Sequence, residues 1–518
     1  MRRTILLVAV LAVLPVGTAA CGSSAGTYAP GPGATAAPAH PRQTAWPVQP
    51  AATPWPEQPA ATPYDGVTYE DPGVNPFVPT VQDRQSTFAL DVDTASYAIA
   101  RRYVDDGNLP DPAAIRVEEF VNAFDQGYAP PAAGTFAIYA DGAPSPFLGE
   151  DEVLVRIGIQ AREVSRRERP DAAVTFVIDT SGSMAREDRL DLVKRSLGVL
   201  VASLRPADTV AIVAYGTDAR VVLQPTSARD ADTILGALDE LRPDGSTDAE
   251  AGLRLGYRLA ADHLKEGGIN RVVLASDGVA NVGNTDAATI LDRIAWDADL
   301  GIQLVSVGFG MGNYNDVLME QLADKGDGFY AYVNTIDDAT VLFRDRLVST
   351  LDTVALDARV QVEFNPQVVE AYRLIGYENR AIDDGSFRDD GVDAGAIGAG
   401  HASTALYAVR PTYEGGRSGR IATVSLRWVD PATRQASEIA ADVRLDDMAG
   451  SFREAAPTFR LDALVAATAE RLRESRWSAG YSLRDVASQA GDMAGDLPRT
   501  DEVNAFLDLL EAAARLER

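Results

Sequence analysis

The run Asp171-Ala-Ala-Val-Thr-Phe-Val-Ile-Asp179-Thr-Ser181-Gly-Ser183-Met184 constrains the fold more than any other part of the chain. From Ala172 to Ile178 it is almost continuously apolar and rich in β-branched residues, which predicts a strand covered on both faces. Such a strand needs helices on both sides, and so belongs to an α/β domain with a largely parallel sheet. The run ends at an acid followed by small hydroxylated residues, so the strand delivers oxygen atoms to a loop.

Asp179, Ser181 and Ser183 alternate with Thr180 and Gly182, so in an extended turn three oxygen-bearing side chains can converge on one point. A donor set made only of oxygen suits hard divalent cations: Mg2+, or Ca2+ or Mn2+. The same five residues also read as a helix N-cap or turn whose side chains bond backbone N–H groups. Two later segments favour the metal reading. Asp244-Gly-Ser-Thr247-Asp248 precedes a helical pattern, and Arg271-Val-Val-Leu-Ala-Ser276-Asp277 is another buried strand ending in an acid.

Taken in order, Asp179, Ser181, Ser183, Thr247 and Asp277 resemble the metal-ion-dependent adhesion site of von Willebrand factor type A domains, Asp-x-Ser-x-Ser followed by a Thr and an Asp. The resemblance implies a Rossmann-like domain in which the three hydroxyls bind the ion directly and the two aspartates often act through water. It also implies a non-catalytic adhesion role, with an unknown partner protein supplying an acidic residue to the ion. Related domains change affinity when their last helix moves, here Asp337 to Thr350, which runs directly into a β region at Val354.

The 518 residues carry a formal net charge of -28, which disfavours phosphate backbones and anionic surfaces and argues against nucleic acid as a partner. Residues 1–21 have the charged, apolar and small-residue zones of a signal peptide. Cys21, the only cysteine, stands where a bacterial lipobox would place it, with Thr18 where Leu is usual. That resemblance implies lipidation at Cys21 and a protein anchored on a cell membrane, facing outside the cytoplasm. Residues 22–80 are rich in Pro and Ala and read as a disordered tether.

Residues 81–130 read as an N-terminal helical region, with Asp93 and Asp111 as N-caps and Pro112 at a first helical position. Asp91 and Asp93 resemble the N-terminal signature of bacterial lipoproteins of the YfbK type. Tyr372-Arg-Leu-Ile-Gly-Tyr-Glu-Asn379-Arg380 and Gly398-Ala-Gly-His401 resemble further signatures of that group. Residues 131–170 alternate as accessory strands. Residues 171–352 alternate strand and helix, with strands at 173–178, 209–215, 271–275, 303–307 and 328–333. Residues 353–450 are again β and are expected to pair with 131–170, completing a β-sandwich into which the type A domain is inserted. Residues 451–518 are helical. The acid-rich loop from Asp383 to Gly395 lacks the spacing of an EF-hand and reads as a solvated loop.

Two other classes of function compete. One is a hydrolase: using Ser181 or Ser183 it needs a base, and the only histidines are His40, His263 and His401, while a metal-assisted hydrolase would have to activate water at a single site of mostly neutral ligands, which suits that task poorly. A structural envelope protein with a merely stabilising ion is the third reading.

Overall fold

The computed structural model describes residues 69–277, 289–290, 300–310, 316–392, 394–412 and 419–517. The expected signal peptide, Cys21 and most of the tether lie outside the described residues. Along the chain come β1 (Val78–Pro79), β2 (Gln85–Ala89), α1 (Ala95–Asp105), α2 (Val117–Asn122), β3 (Phe136–Pro144) and β4 (Val153–Ala161). The expected tether therefore ends earlier than residue 80. Val78 and Pro79 pair with a later strand, and Thr80 is buried with its hydroxyl donating to the Val369 carbonyl at 2.6 Å.

The central domain contains β5 (Ala172–Asp179), α3 (Arg189–Ser203), β6 (Thr209–Tyr215), β7 (Ala219–Ser227), α4 (Ala231–Asp239), α5 (Ala249–Asp262), β8 (Ile269–Ser276), β9 (Gln303–Phe309), α6 (Asp316–Lys325), β10 (Phe329–Val333), α7 (Ile336–Thr340) and α8 (Leu347–Leu351). Its six strands lie in the order β10-β9-β8-β5-β6-β7. All are parallel except β7, an antiparallel edge that the strand-helix alternation did not predict. Phe176, Val177 and Ile178 are fully buried, alternate residues facing two different apolar clusters, as the uninterrupted run predicts. Each such side chain contributes roughly 1.5–3 kcal/mol through burial.

The helix expected from Asp337 to Thr350 is broken. Five residues of α7 lead into a π-helical turn, Val341–Asp345, before α8. At α8's end the chain enters the second β region directly. There Arg271 of β8, itself fully buried, donates to the Leu351 carbonyl at 2.8 Å and to the Thr353 hydroxyl at 2.9 Å.

That region supplies β11 (Thr353–Phe364), β12 (Val369–Ile375), β13 (Ala396–Gly398), β14 (Ala402–Pro411), β15 (Arg420–Val429) and β16 (Ala436–Arg444). One antiparallel sheet runs β1-β12-β14-β4-β3 and the other β13-β11-β15-β16, with β2 also paired to β11. The early strands thus pair with the late ones: β4 lies against β14 from Ala402↔Gln160 to Val409↔Val153. The two sheets share one core, in which Phe136 meets Trp428 edge to face at 5.1 Å and Phe364 stacks on Tyr372 at 4.2 Å. Helices α9 (Pro457–Leu472), α10 (Leu483–Met493) and α11 (Asp501–Leu516) pack with α1 and α2 against the outer face of the first sheet.

Two local expectations need correcting. Asp93 does not cap a helix: Thr94 occupies the N-cap of α1, while Asp93 takes the Tyr330 backbone N–H at 3.0 Å and the Arg380 guanidinium at 2.9 Å. Asp111 does cap, but the helix it starts is a three-residue 3-10 turn. The acid-rich loop is largely exposed, as its reading as a solvated loop expects, and its backbone has a further contact. It folds over the buried Arg359, which donates to the Phe387 and Asp389 carbonyls at 2.7 and 2.6 Å. Among the described residues, no helix is long and apolar enough to cross a membrane.

Candidate metal centre

The carboxyl ends of β5, β6 and β8 lie side by side, and β5 is where the strand order reverses, with β6 on one flank and β8 on the other. Ligand crevices form at such points in α/β sheets. Asp179 is the last residue of β5 and is fully buried. Its Oδ1 accepts the Ser181 backbone N–H at 2.8 Å, and its Oδ2 accepts the Ser276 hydroxyl at 2.9 Å. The Tyr215 hydroxyl, from the end of β6, lies 3.4 Å from the same oxygen. These bonds fix the carboxylate across the ends of three strands.

The loop after β5 is held at its turn. Thr180 N–H donates to the Tyr215 carbonyl at 2.7 Å, and Ser181 and Ser183 hydroxyl oxygens sit 2.9 Å apart. The third segment is laced to this loop by the backbone. Asp244 N–H donates to the Thr180 carbonyl at 2.6 Å, Gly182 N–H to the Gly245 carbonyl at 3.0 Å, and Asp248 N–H to the Gly216 carbonyl at 3.0 Å. Thr247 therefore sits in the same cluster of loops.

Helix α5 secures this arrangement from below. Asp248 caps it, accepting the Ala251 N–H at 2.9 Å. Gly252 and Gly256 face the sheet: a Cβ would fall 2.6 Å from the Tyr215 ring at the first and 2.3 Å from Val177 at the second. Small residues one turn apart let the helix approach closely, which seats its N-terminal loop over the strand ends.

All five residues singled out in the sequence are thus gathered at one edge of the sheet. Asp277 follows β8 directly and is fully buried, and its Oδ2 accepts from Arg189 Nη1 at 2.9 Å. Burial, followed by the charge of Asp277, pushes the Asp179 carboxyl up to about 7. Burial and then Asp179 also hold the Tyr215 phenol well above its ordinary range. The Thr247 hydroxyl is fully buried and has no hydrogen-bond partner among the described residues. A buried unpaired hydroxyl and two mutually repelling buried carboxylates are what a cation would satisfy. The residues fit a hard divalent ion. Among the described residues no group of three or more His, Cys, Asp or Glu side chains is placed to hold a metal, so this donor set, rich in hydroxyls, stands apart from carboxylate cages.

Arg189, Tyr215 and Ser276 were not among the residues expected at the site. Ser276 directly precedes Asp277 and Arg189 opens the helix after the serine loop, but neither carries a pattern that reveals which carboxylate it meets.

Family models match several segments of this chain. Residues 174–279 match the family model described as von Willebrand factor type A domain, residues 64–156 one described as von Willebrand factor, and residues 349–516 one described as Uncharacterized protein YfbK, C-terminal. The chain is 34% identical over 470 residues to Uncharacterized protein YfbK of Escherichia coli (strain K12), a match covering 86% of this chain and 80% of that protein. Inter-alpha-trypsin inhibitor heavy chain H4 of Homo sapiens is 23% identical over 233 residues, covering 42% of this chain and 25% of that one. Among solved structures, von Willebrand factor type A from Catenulispora acidiphila aligns over 72% of this chain and 89% of its own, with 16% identity and a TM-score of 0.42. The chain belongs to the YfbK family and carries a von Willebrand factor type A domain, inserted in a β-sandwich with flanking helices.

Proposed function

We propose that this protein is a non-catalytic, divalent-cation-dependent binding module of a cell-envelope lipoprotein, and that it captures a partner protein through an acidic side chain. The observation that carries the reading is the convergence of two buried carboxylates and three hydroxyls on one loop cluster, with the Thr247 hydroxyl buried and unpartnered among the described residues. Ser181, Ser183 and Thr247 would hold the ion, Mg2+ or alternatively Ca2+ or Mn2+, and Asp179 and Asp277 would balance its charge. A bound divalent cation would offer a partner's Asp or Glu an attractive site that the -28 charge of the chain otherwise denies it. Gly182 is exposed and Ser183 half-buried, so the serine loop opens to solvent where a partner would dock.

A binding role is favoured over catalysis by the placement of bases. His263 closes the far end of α5, about 20 Å along the helix from Thr247, with its Nδ1 on the Leu259 carbonyl. His401 sits in the sandwich beside Phe329, its Nδ1 accepting from Gly398 N–H. Neither reaches Ser181 or Ser183 to activate them. Lipidation at Cys21 would hold the module on the membrane, facing outside the cytoplasm, with the Pro-rich segment as spacer.

The test is capture of envelope proteins on the immobilised full chain, with Mg2+ or with chelator, and with Asp179→Ala. The proposal expects a protein retained by the unsubstituted chain only when metal is present. Retention indifferent to both chelator and substitution contradicts it. Mass spectrometry of the mature N-terminus tests the anchor: an acylated Cys21 is expected, an unmodified thiol contradicts it.

A further inference from the structure

Arg189 is the first residue of α3, and its side chain turns inward rather than toward solvent, with 3% of its surface exposed. Its Nη1 lies 2.9 Å from Oδ2 of Asp277, whose side chain is fully buried. The seat for this side chain is built by a third strand end. Gly310 follows β9 with φ +78, and a Cβ there would come within 2.4 Å of Arg189 Nε and 2.6 Å of its Cδ. A glycine in the left-handed region thus leaves the channel through which the guanidinium reaches the aspartate. Buried charge of this kind persists only when paired, so the position is held by Asp277 rather than by chance packing.

We propose that Arg189 is a resident cation of the metal centre, which weakens uptake of the divalent ion and in exchange makes the loaded centre select a single carboxylate. The inference rests on the reading of the site given above. Asp179, Asp277 and Arg189 are linked through Ser276 and the Arg189–Asp277 pair, and with both carboxylates ionised, as a bound divalent ion requires, their charges sum to −1. A divalent ion takes that sum to +1, which one acidic side chain neutralises. Without Arg189 the loaded group would be neutral and would gain little from an anion. Arg189 also engages one oxygen of Asp277, so it competes with the ion for that carboxylate. Arg189 is therefore a positioning and charge-setting residue for the ligand, distinct from the five that would hold the metal.

The experiment uses the full chain, Mn2+ as the metal probe and acetate as the carboxylate probe. Calorimetry gives Mn2+ affinity, and the broadening of the acetate methyl resonance gives acetate affinity for the Mn2+-saturated protein. Arg189→Gln is expected to bind Mn2+ at least tenfold more tightly and acetate at least tenfold more weakly, roughly the floor set by one unit charge a few ångströms away even when water screens it. Arg189→Lys, which keeps the charge, is expected to stay within about threefold of the unsubstituted chain on both readouts. Should Arg189→Gln fail to fold by near-UV circular dichroism, Arg189→Met keeps the packing against Gly310 and is read in the same way. Unchanged or weaker Mn2+ binding in a folded neutral variant overturns the proposal, as does unchanged acetate binding. If the unsubstituted chain binds Mn2+ and Asp179→Ala does not, such a result refutes the role of Arg189 alone. If the unsubstituted chain binds no Mn2+, the metal centre itself is refuted and this inference with it.

Discussion

Arg380 Nη2 lies 2.9 Å from Asp93 Oδ2, joining two segments almost three hundred residues apart. The other oxygen of Asp93 accepts the backbone N–H of Tyr330 on β10, at the edge of the central sheet. Arg380 also lies 3.2 Å from Glu320 of α6, whose second oxygen meets Arg116 at 3.0 Å. The N-terminal region, the type A domain and the sandwich are therefore tied at one buried ionic junction. Asp91, Asp93 and Arg380, which resemble signatures of the family, meet there.

Asp93→Ala should leave Arg380 with a missing partner and expose the Tyr330 N–H to an unpaired burial. Breaking such a pair from one side costs about 3–5 kcal/mol. Urea denaturation of the variant should show a loss on that scale; a loss below about 1 kcal/mol, the value of an exposed pair, would contradict a buried junction.

Thr247→Val removes a hydroxyl while keeping the shape of the side chain. The Thr247 hydroxyl is buried without a partner among the described residues, so its removal from metal-free protein should leave stability unchanged or raise it by about 0.5–1 kcal/mol. Mg2+ affinity should fall at least about tenfold, since losing even an outer-shell partner of a bound ion costs about that much. Thermal melts with and without Mg2+ separate the two effects, and equal destabilisation under both conditions would argue for a purely structural threonine.

His401 gives the fold a sensitivity to acid. Burial, reinforced by Arg346 and Arg271, holds its imidazole down at about 3, against an ordinary value near 6.5. A depressed base stabilises the fold fully above pH 6.5, and that contribution is lost as pH falls toward 3. Between pH 6.5 and 4.5 the expected loss is on the order of 1–3 kcal/mol. His401→Gln should flatten that part of the pH–stability curve; an unchanged slope would show that other groups set it.

The central domain was largely legible because its signal is local. An almost uninterrupted apolar strand, an acid and two spaced serines occupy twelve consecutive residues, and strand-helix alternation fixes how such strands arrange. The five residues brought to one sheet edge came from that logic together with the family resemblance. What stayed hidden depended on distant partners. Asp93 looks like a cap locally, but Tyr330 and Arg380 claim both its oxygens. Arg189 reads as a helix residue until Gly310 and Asp277 are placed around it. β7 was missed because its half-exposed residues lack the apolar run of its neighbours. The π turn before Arg346 leaves no mark in helical periodicity.

The direct test of the account is divalent-ion uptake by the intact chain, measured calorimetrically with Mg2+ or Mn2+ beside Asp179→Ala and Asp277→Ala. The account predicts one ion per chain, saturable, and abolished in both variants while each keeps its near-UV circular dichroism. No uptake by the unsubstituted chain, or uptake that survives both substitutions, would contradict it.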